Sequence, residues 1–270
     1  MTNQSIHFPV LTFLLFLLMI GHAGAGKVQN NEFKKSKKAP SSNDEELRDR
    51  NKMNVYFLSG LGADERVFAK LKLDTTRFNV RHIKWIQPLK KETLHEYARR
   101  LSAQIDTTRP FHLIGLSFGG IMASVLSELI LPEQIVILSS TSTGVPVSRF
   151  NQNLIRFFLF SPLSGPILKS ANSIVYDYFG ANTPEMKALL KQILKDTDTK
   201  FLKWALIRVS SWHRNEKLAG IYHIHGTADK LIPIKLVNPD VEIPGGGHLM
   251  VFAQHETISA LLNNHLKSLP

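Results

Sequence analysis

The stretch Phe111-His112-Leu113-Ile114-Gly115-Leu116-Ser117-Phe118-Gly119-Gly120 decides how the rest of the chain is read. It opens on an apolar run of strand length, and Gly115 closes that run. After it, Ile121, Met122, Val125, Leu126, Leu129 and Ile130 share one face of a helix expected over 118–131. Between strand and helix stands Gly-x-Ser-x-Gly, in the context that this motif requires. The sharp turn strains the serine backbone and exposes its oxygen. A side chain at 115 or 119 would collide with the turn, and Gly120 lets the helix pack close to the sheet. The helix also points free N–H groups at the serine.

The same alternation extends in both directions. Short apolar runs at 55–58, 78–86, 135–138, 221–224 and 241–243 read as strands. Helical patterns lie at about 92–107, several times within 150–213, and at 254–267. Short apolar strands alternating with helices predict an α/β fold, with a mostly parallel sheet flanked by helices.

A serine hydroxyl is a weak nucleophile. It needs a base, and the base needs an acid to orient it. Six histidines follow Ser117: His213, His223, His225, His248, His255 and His265. His248 stands apart, because Gly245-Gly246-Gly247 before it forms a loop able to carry an imidazole over the sheet edge. His223 and His225 alternate along a strand and read as packed or structural. His255 and His265 fall in a helix. For the acid, the strand at 221–224 breaks at Gly226, which places Asp229 at its C-terminal end, where sites form in open α/β sheets. Asp240 competes on sequence proximity but sits at a strand start. Two N–H groups are expected to hold an oxyanion. One is that of Phe118, directly after the serine. The other is that of Leu61, in the loop Ser59-Gly60-Leu61-Gly62, where the flanking glycines permit an unusual backbone. Asp64 reads as a helix cap.

These stretches resemble the α/β-hydrolase fold superfamily over residues 53–268. Ser59-Gly60-Leu61-Gly62, Gly115-Leu116-Ser117-Phe118-Gly119 (the nucleophile elbow), Gly226-Thr227-Ala228-Asp229 and Gly247-His248 match it in order. The resemblance implies a catalytic triad of Ser117, Asp229 and His248, with an oxyanion hole from Leu61 and Phe118. It also implies a serine hydrolase or carboxylesterase acting on a small, partly apolar ester, with no metal or organic cofactor. Thioester or C–C cleavage and perhydrolysis are alternatives on the same triad. A ligand-binding or signalling protein on a hydrolase scaffold is another. Many members have His-Gly in the first loop where this chain has Ser59-Gly60, a change that touches the pocket wall more than the backbone donors.

Composition narrows the remaining classes. There is no cysteine, so disulfides, thiolate metal sites and cysteine nucleophiles are excluded. The formal charge of +11 is uneven: residues 141–218 carry 11 basic and 5 acidic side chains. No nucleic-acid-reading motif accompanies them, so no nucleic-acid partner is expected. This segment lies between the strands at 135–138 and 221–224, where relatives of the fold carry a helical cap insertion. Its apolar groups, among them Leu154, Phe157, Phe158, Leu159 and Phe160, should mostly bury. Lys187, Lys191 and Lys195 share a helix face, either a solvated lid surface or an attraction for anionic substrates or a membrane surface.

At the start, the apolar run 8–20 is short for a membrane span and fits a signal peptide over 1–25, with Gly26 as the first mature residue. No stable membrane span is therefore expected. The chain would be exported if the leader is cleaved. It would be membrane-anchored if the leader stays, or cytoplasmic if translation starts at Met53. Residues 26–52 read as a flexible linker. The core is expected over 53–140 and 219–270.

Overall fold

Along the first strand of the core, Met53, Val55 and Phe57 point to one face while Tyr56 and Leu58 point to the other, all buried. Alternate side chains of a strand leave opposite faces, so a strand apolar on both must be covered on both. The structure, a computed structural model, describes residues 51–144, 149–216 and 218–268. The expected leader over 1–25, and the linker up to residue 50, lie outside them.

In chain order the core elements are β1 (Met53–Leu58), β2 (Phe78–His82), α1 (Leu94–Leu101), β3 (Phe111–Leu116), α2 (Phe118–Leu126) and β4 (Gln134–Leu138). Five helices follow: α3 (Arg149–Phe160), α4 (Ser164–Leu168), α5 (Ser173–Phe179), α6 (Pro184–Asp196) and α7 (Thr199–Ser211). The chain then returns through β5 (Ile221–Gly226), β6 (Val241–Ile243), α8 (Met250–Ala253) and α9 (His255–His265). All pairings are parallel, in the order β2-β1-β3-β4-β5-β6. This is the parallel sheet flanked by helices that the alternating pattern predicts.

One face of the sheet packs on α1 and α2, through Leu94, Tyr97, Leu101, Met122, Val125 and Leu126, joined by Phe201, Trp204 and Ala205 from α7. The other packs on α8 and α9, through Met250, Val251, Ile258 and Leu262. Each fully buried Leu or Ile contributes about 1.5–3 kcal/mol. A capping box starts α1: the Glu96 amide donates to the Thr93 hydroxyl, and the Thr93 amide donates back to the Glu96 carboxylate.

Three elements are shorter than their periodicity predicts. The helix expected over 92–107 ends at Leu101, because Ile105 turns to an extended backbone (φ −108°, ψ 122°) and buries in the core. The one expected over 118–131 ends at Leu126 and runs on as hydrogen-bonded turns to Ile130, before Leu131-Pro132, where the residue before proline disfavours helix. The strand expected over 78–86 stops at His82, since its one partner, β1, ends at Leu58, one residue past the Phe57–His82 pair.

Candidate active site

The strand order reverses between β1 and β3, and the loops leaving the C-terminal ends of these strands carry Leu61 and Ser117. A crevice at such a switch point is where open α/β sheets build sites. Ser117 lies between β3 and α2 with φ 52° and ψ −119°, a region that side-chain-bearing residues rarely occupy. The turn is held by close approach. A Cβ on Gly119 would run into the carbonyl oxygens of Leu58 and Ser59, and one on Gly115 into the backbone of Gly119 and Gly120. The Ser117 amide donates to Leu138 O, and Ser140 Oγ donates to Ser117 O at 2.6 Å.

His248 Nε2 lies 2.9 Å from Ser117 Oγ, and its Nδ1 lies 2.8 Å from Asp229 Oδ2. Both His248 and Asp229 are buried. Asp229 Oδ1 accepts the amides of Leu231 and Ile232, each at 2.9 Å. Its carboxylate thus meets donors on both oxygens, which fixes its rotation. The loops bearing acid and base are stitched together. Ala228 N donates to Gly246 O, Thr227 N to Ile243 O, and Gly245 N to Thr227 Oγ1. Asp240, the competing acid, binds the backbone of His223 at the start of β6, away from His248.

Leu61 belongs to the loop after β1, and Phe118 opens α2 directly after the serine. Neither N–H has a hydrogen-bond partner among the described residues. A Cβ on Gly60 would sit 3.6 Å from Ser117 Cβ, so the first loop lies directly against the nucleophile turn. Gly62 has a left-handed backbone (φ 70°) and Gly60 does not, so only one of the two glycines relaxes that loop. Ser59 Oγ donates to Ala63 O and Trp85 Nε1 to Gly60 O, which fixes the direction of the intervening amides. Asp64 caps the 3₁₀ turn Glu65–Phe68, and the Arg66 guanidinium hydrogen-bonded to it lowers its pKa.

Several residues around the site carry no sequence signal. Phe179, at the end of α5, stands edge-on to the His248 imidazole, with ring centroids 5.6 Å apart. Leu249 N donates to Phe179 O, and Lys230 pairs with Asp177 at 2.6 Å, so one end of α5 holds both the acid and the histidine loops. His225 is buried with Nε2 2.8 Å from Ile232 O and 3.6 Å from Asp229 Oδ2. Burial pushes the pKa of His225 down, against the pull of Asp229. The neutral ring donates from Nε2 to Ile232 O and accepts at Nδ1 from His223 Nε2, 3.1 Å away. It backs Asp229 with an uncharged wall and leaves that carboxylate to His248.

One cleft lies beside this region and a second lies apart from it. One of about 280 Å³ is lined by Gly62, Trp85, Ile86, Thr197 and Phe201, beside the Leu61 loop. A larger one of about 510 Å³ lies against β1 and β2, lined by Asn54, Tyr56, Asn79 and Arg81. Ser117 and His248 line neither, so cleft size is a poorer guide to the chemistry here than the hydrogen-bonded chain.

No known family profile and no curated protein sequence matches the chain. Solved structures do. An esterase from Exiguobacterium antarcticum superposes with a TM-score of 0.65 at 15% identity, over 80% of this chain and 92% of that one. The enol-lactonase from Burkholderia xenovorans LB400 gives 0.62 at 13% identity, over 79% and 91%. A thermophilic esterase from Thermogutta terrifontis gives 0.57 at 14%, over 78% and 88%. At such identities the likeness speaks for the fold.

Proposed function

The chain has the α/β-hydrolase fold, and on that scaffold we propose that it is a serine hydrolase cleaving carboxylic esters of small, partly apolar substrates. One observation carries the reading: the unbroken chain Ser117 Oγ, His248 Nε2, His248 Nδ1, Asp229 Oδ2, with contacts of 2.9 and 2.8 Å. It stands beside two unpaired backbone donors.

In the proposed mechanism Ser117 Oγ attacks the ester carbonyl while His248 Nε2 takes its proton. The carbonyl oxygen becomes an oxyanion held by the N–H groups of Leu61 and Phe118. The positive end of α2 adds to that stabilisation. Asp229 keeps the Nδ1 proton in place and stabilises the imidazolium. The C–O bond then breaks, and His248 returns the proton to the leaving alkoxide as an alcohol. The acyl group remains on Ser117. Water, deprotonated by His248, attacks it, and the acid leaves with Ser117 restored. An acyl group of partly apolar character fits the aromatic surroundings of the serine, where Phe118 packs on Trp85 and Phe201.

The test is a fluorophosphonate probe together with a panel of p-nitrophenyl esters of increasing chain length. The wild-type chain should label at Ser117 and turn over the shorter esters. Ser117→Ala should lose labelling and about 10⁵–10⁶-fold in kcat with its melting temperature kept. Retained turnover in Ser117→Ala would overturn the assignment. Labelling without turnover of any ester would favour a different acyl substrate or a ligand-binding role.

A further inference from the structure

The first cap helix, α3, is apolar on two faces. Ile155, Phe158 and Leu159 bury against Ile167, Leu168, Leu206 and Ile207. Of the five residues here expected mostly to bury, Phe158 and Leu159 do so and Leu154 is half-buried. Phe157 and Phe160 do not: each is 82% exposed, with Phe150 at 72% and Leu163 at 67%. At 100° per residue, positions 150, 157 and 160 fall within about 80° of one another, opposite the buried face. The patch offers on the order of 500 Å² of apolar surface. A patch of that size is at the upper end for a water-exposed protein surface, and such patches are often functional.

The charge around it has one sign. Arg149 and Arg156 project about 100–120° from Phe150, along the Phe160 edge of the stripe. Lys169 follows α4, and from residue 149 to 176 there is no Asp or Glu. None of these three bases makes an ion pair among the described residues. A symmetric contact between two copies would bring these bases near their counterparts with no carboxylate between them. An anionic lipid surface meets both features at once: rings enter the boundary between headgroups and acyl chains, while guanidinium groups pair with phosphates. No helix among the described residues is long and apolar enough to cross a membrane, so the contact is a peripheral one.

We propose that this face of the cap docks on an anionic lipid bilayer, with Phe150, Phe157 and Phe160 inserted and Arg149 and Arg156 on the lipid phosphates. The apolar run 8–20 is a second route to a vesicle for the full chain, so the readout must be local to the patch. The absence of cysteine allows this. In the full chain Phe157→Cys supplies a single thiol for an environment-sensitive fluorophore, and Leu131→Cys, at a position 91% exposed outside the cap, supplies the control. Vesicles of phosphatidylcholine with phosphatidylglycerol should shift the probe at 157 to the blue, and a nitroxide in the upper acyl chain should quench it. The probe at 131 should stay silent. Two arginines near the surface favour the anionic vesicles over pure phosphatidylcholine by on the order of thirtyfold at low salt. Arg149→Gln with Arg156→Gln should remove about tenfold or more of that preference. The proposal fails if the 157 probe stays in water while the chain is on the vesicle, or if both probes respond alike. It also fails if the 157 probe shifts with protein concentration alone, which would assign the face to a second copy. An equal response to both vesicle types would refute the role of the bases.

Discussion

Replacing Asp229 by Asn exchanges one oxygen for an NH₂, and the surrounding donors decide which way the new group turns. In the wild type, Oδ1 accepts the amides of Leu231 and Ile232 and Oδ2 accepts from His248 Nδ1. An asparagine has one oxygen and one NH₂ for these partners. With the NH₂ toward residues 231 and 232, two amides would lose their acceptor, and the buried one, of Ile232, would cost about 1–3 kcal/mol. The oxygen therefore stays with those amides and the NH₂ turns to His248. His248 Nδ1 must then accept, which moves the ring proton to Nε2, facing Ser117 Oγ. A ring protonated there cannot take the serine proton. The expected loss is about 10⁴-fold in kcat, or about 5 kcal/mol of transition-state stabilisation. The fold should lose only about 1–2 kcal/mol, since the two amides stay paired. The assay is kcat and KM on p-nitrophenyl esters, with Ser117→Ala as the floor and thermal melting alongside. Asp240→Asn is the control, and should stay within about threefold of wild type. A rate for Asp229→Asn within tenfold of wild type would refute the tautomer argument, and a larger loss in Asp240→Asn would move the acid to that residue.

Gly119→Ala places a Cβ against the Leu58 and Ser59 carbonyl oxygens, which are backbone and cannot swing aside. We expect about 3 kcal/mol of destabilisation, a melting temperature lower by roughly 6–12 °C and lost activity; a shift under 2 °C would contradict the packing. Stability should also depend on pH through buried histidines. Burial lowers the pKa of His112 and His225 below the usual 6.5. The unfolded chain then binds more protons just below that value, so stability is full above about pH 6.5 and declines as pH falls toward the folded-state values. Melting scans from pH 7.5 to 5.5 should record that fall; a flat or rising profile would refute it.

Much of the arrangement proposed as catalytic is legible in the sequence because its constraints are local. Strand, turn and helix around Ser117 occupy about a dozen consecutive residues, and the glycines that the turn needs lie inside them. The choice between Asp229 and Asp240 follows from strand direction alone: one leaves the C-terminal end of β5, the other precedes β6. Element ends were less legible. Leu101 ends its helix early because Ile105 has a core to enter, and β2 stops because its partner β1 runs out at Leu58.

By itself, then, the sequence determined the α/β pattern, the strained serine turn, and the order of serine, acid and histidine along the chain. Periodicity, glycine placement and strand polarity are properties of contiguous residues. Only the tertiary structure decided what meets across long separations. Phe179 on His248, Lys230 on Asp177 and neutral His225 behind Asp229 depend on how α5 and the β5 and β6 loops converge. The same holds for α3. Its apolar residues surround the helix, and periodicity cannot say which of them α4 and α7 will cover. Packing took Ile155, Phe158 and Leu159, and left Phe150, Phe157 and Phe160 in water, because a helix packed on one side has an uncovered side as well.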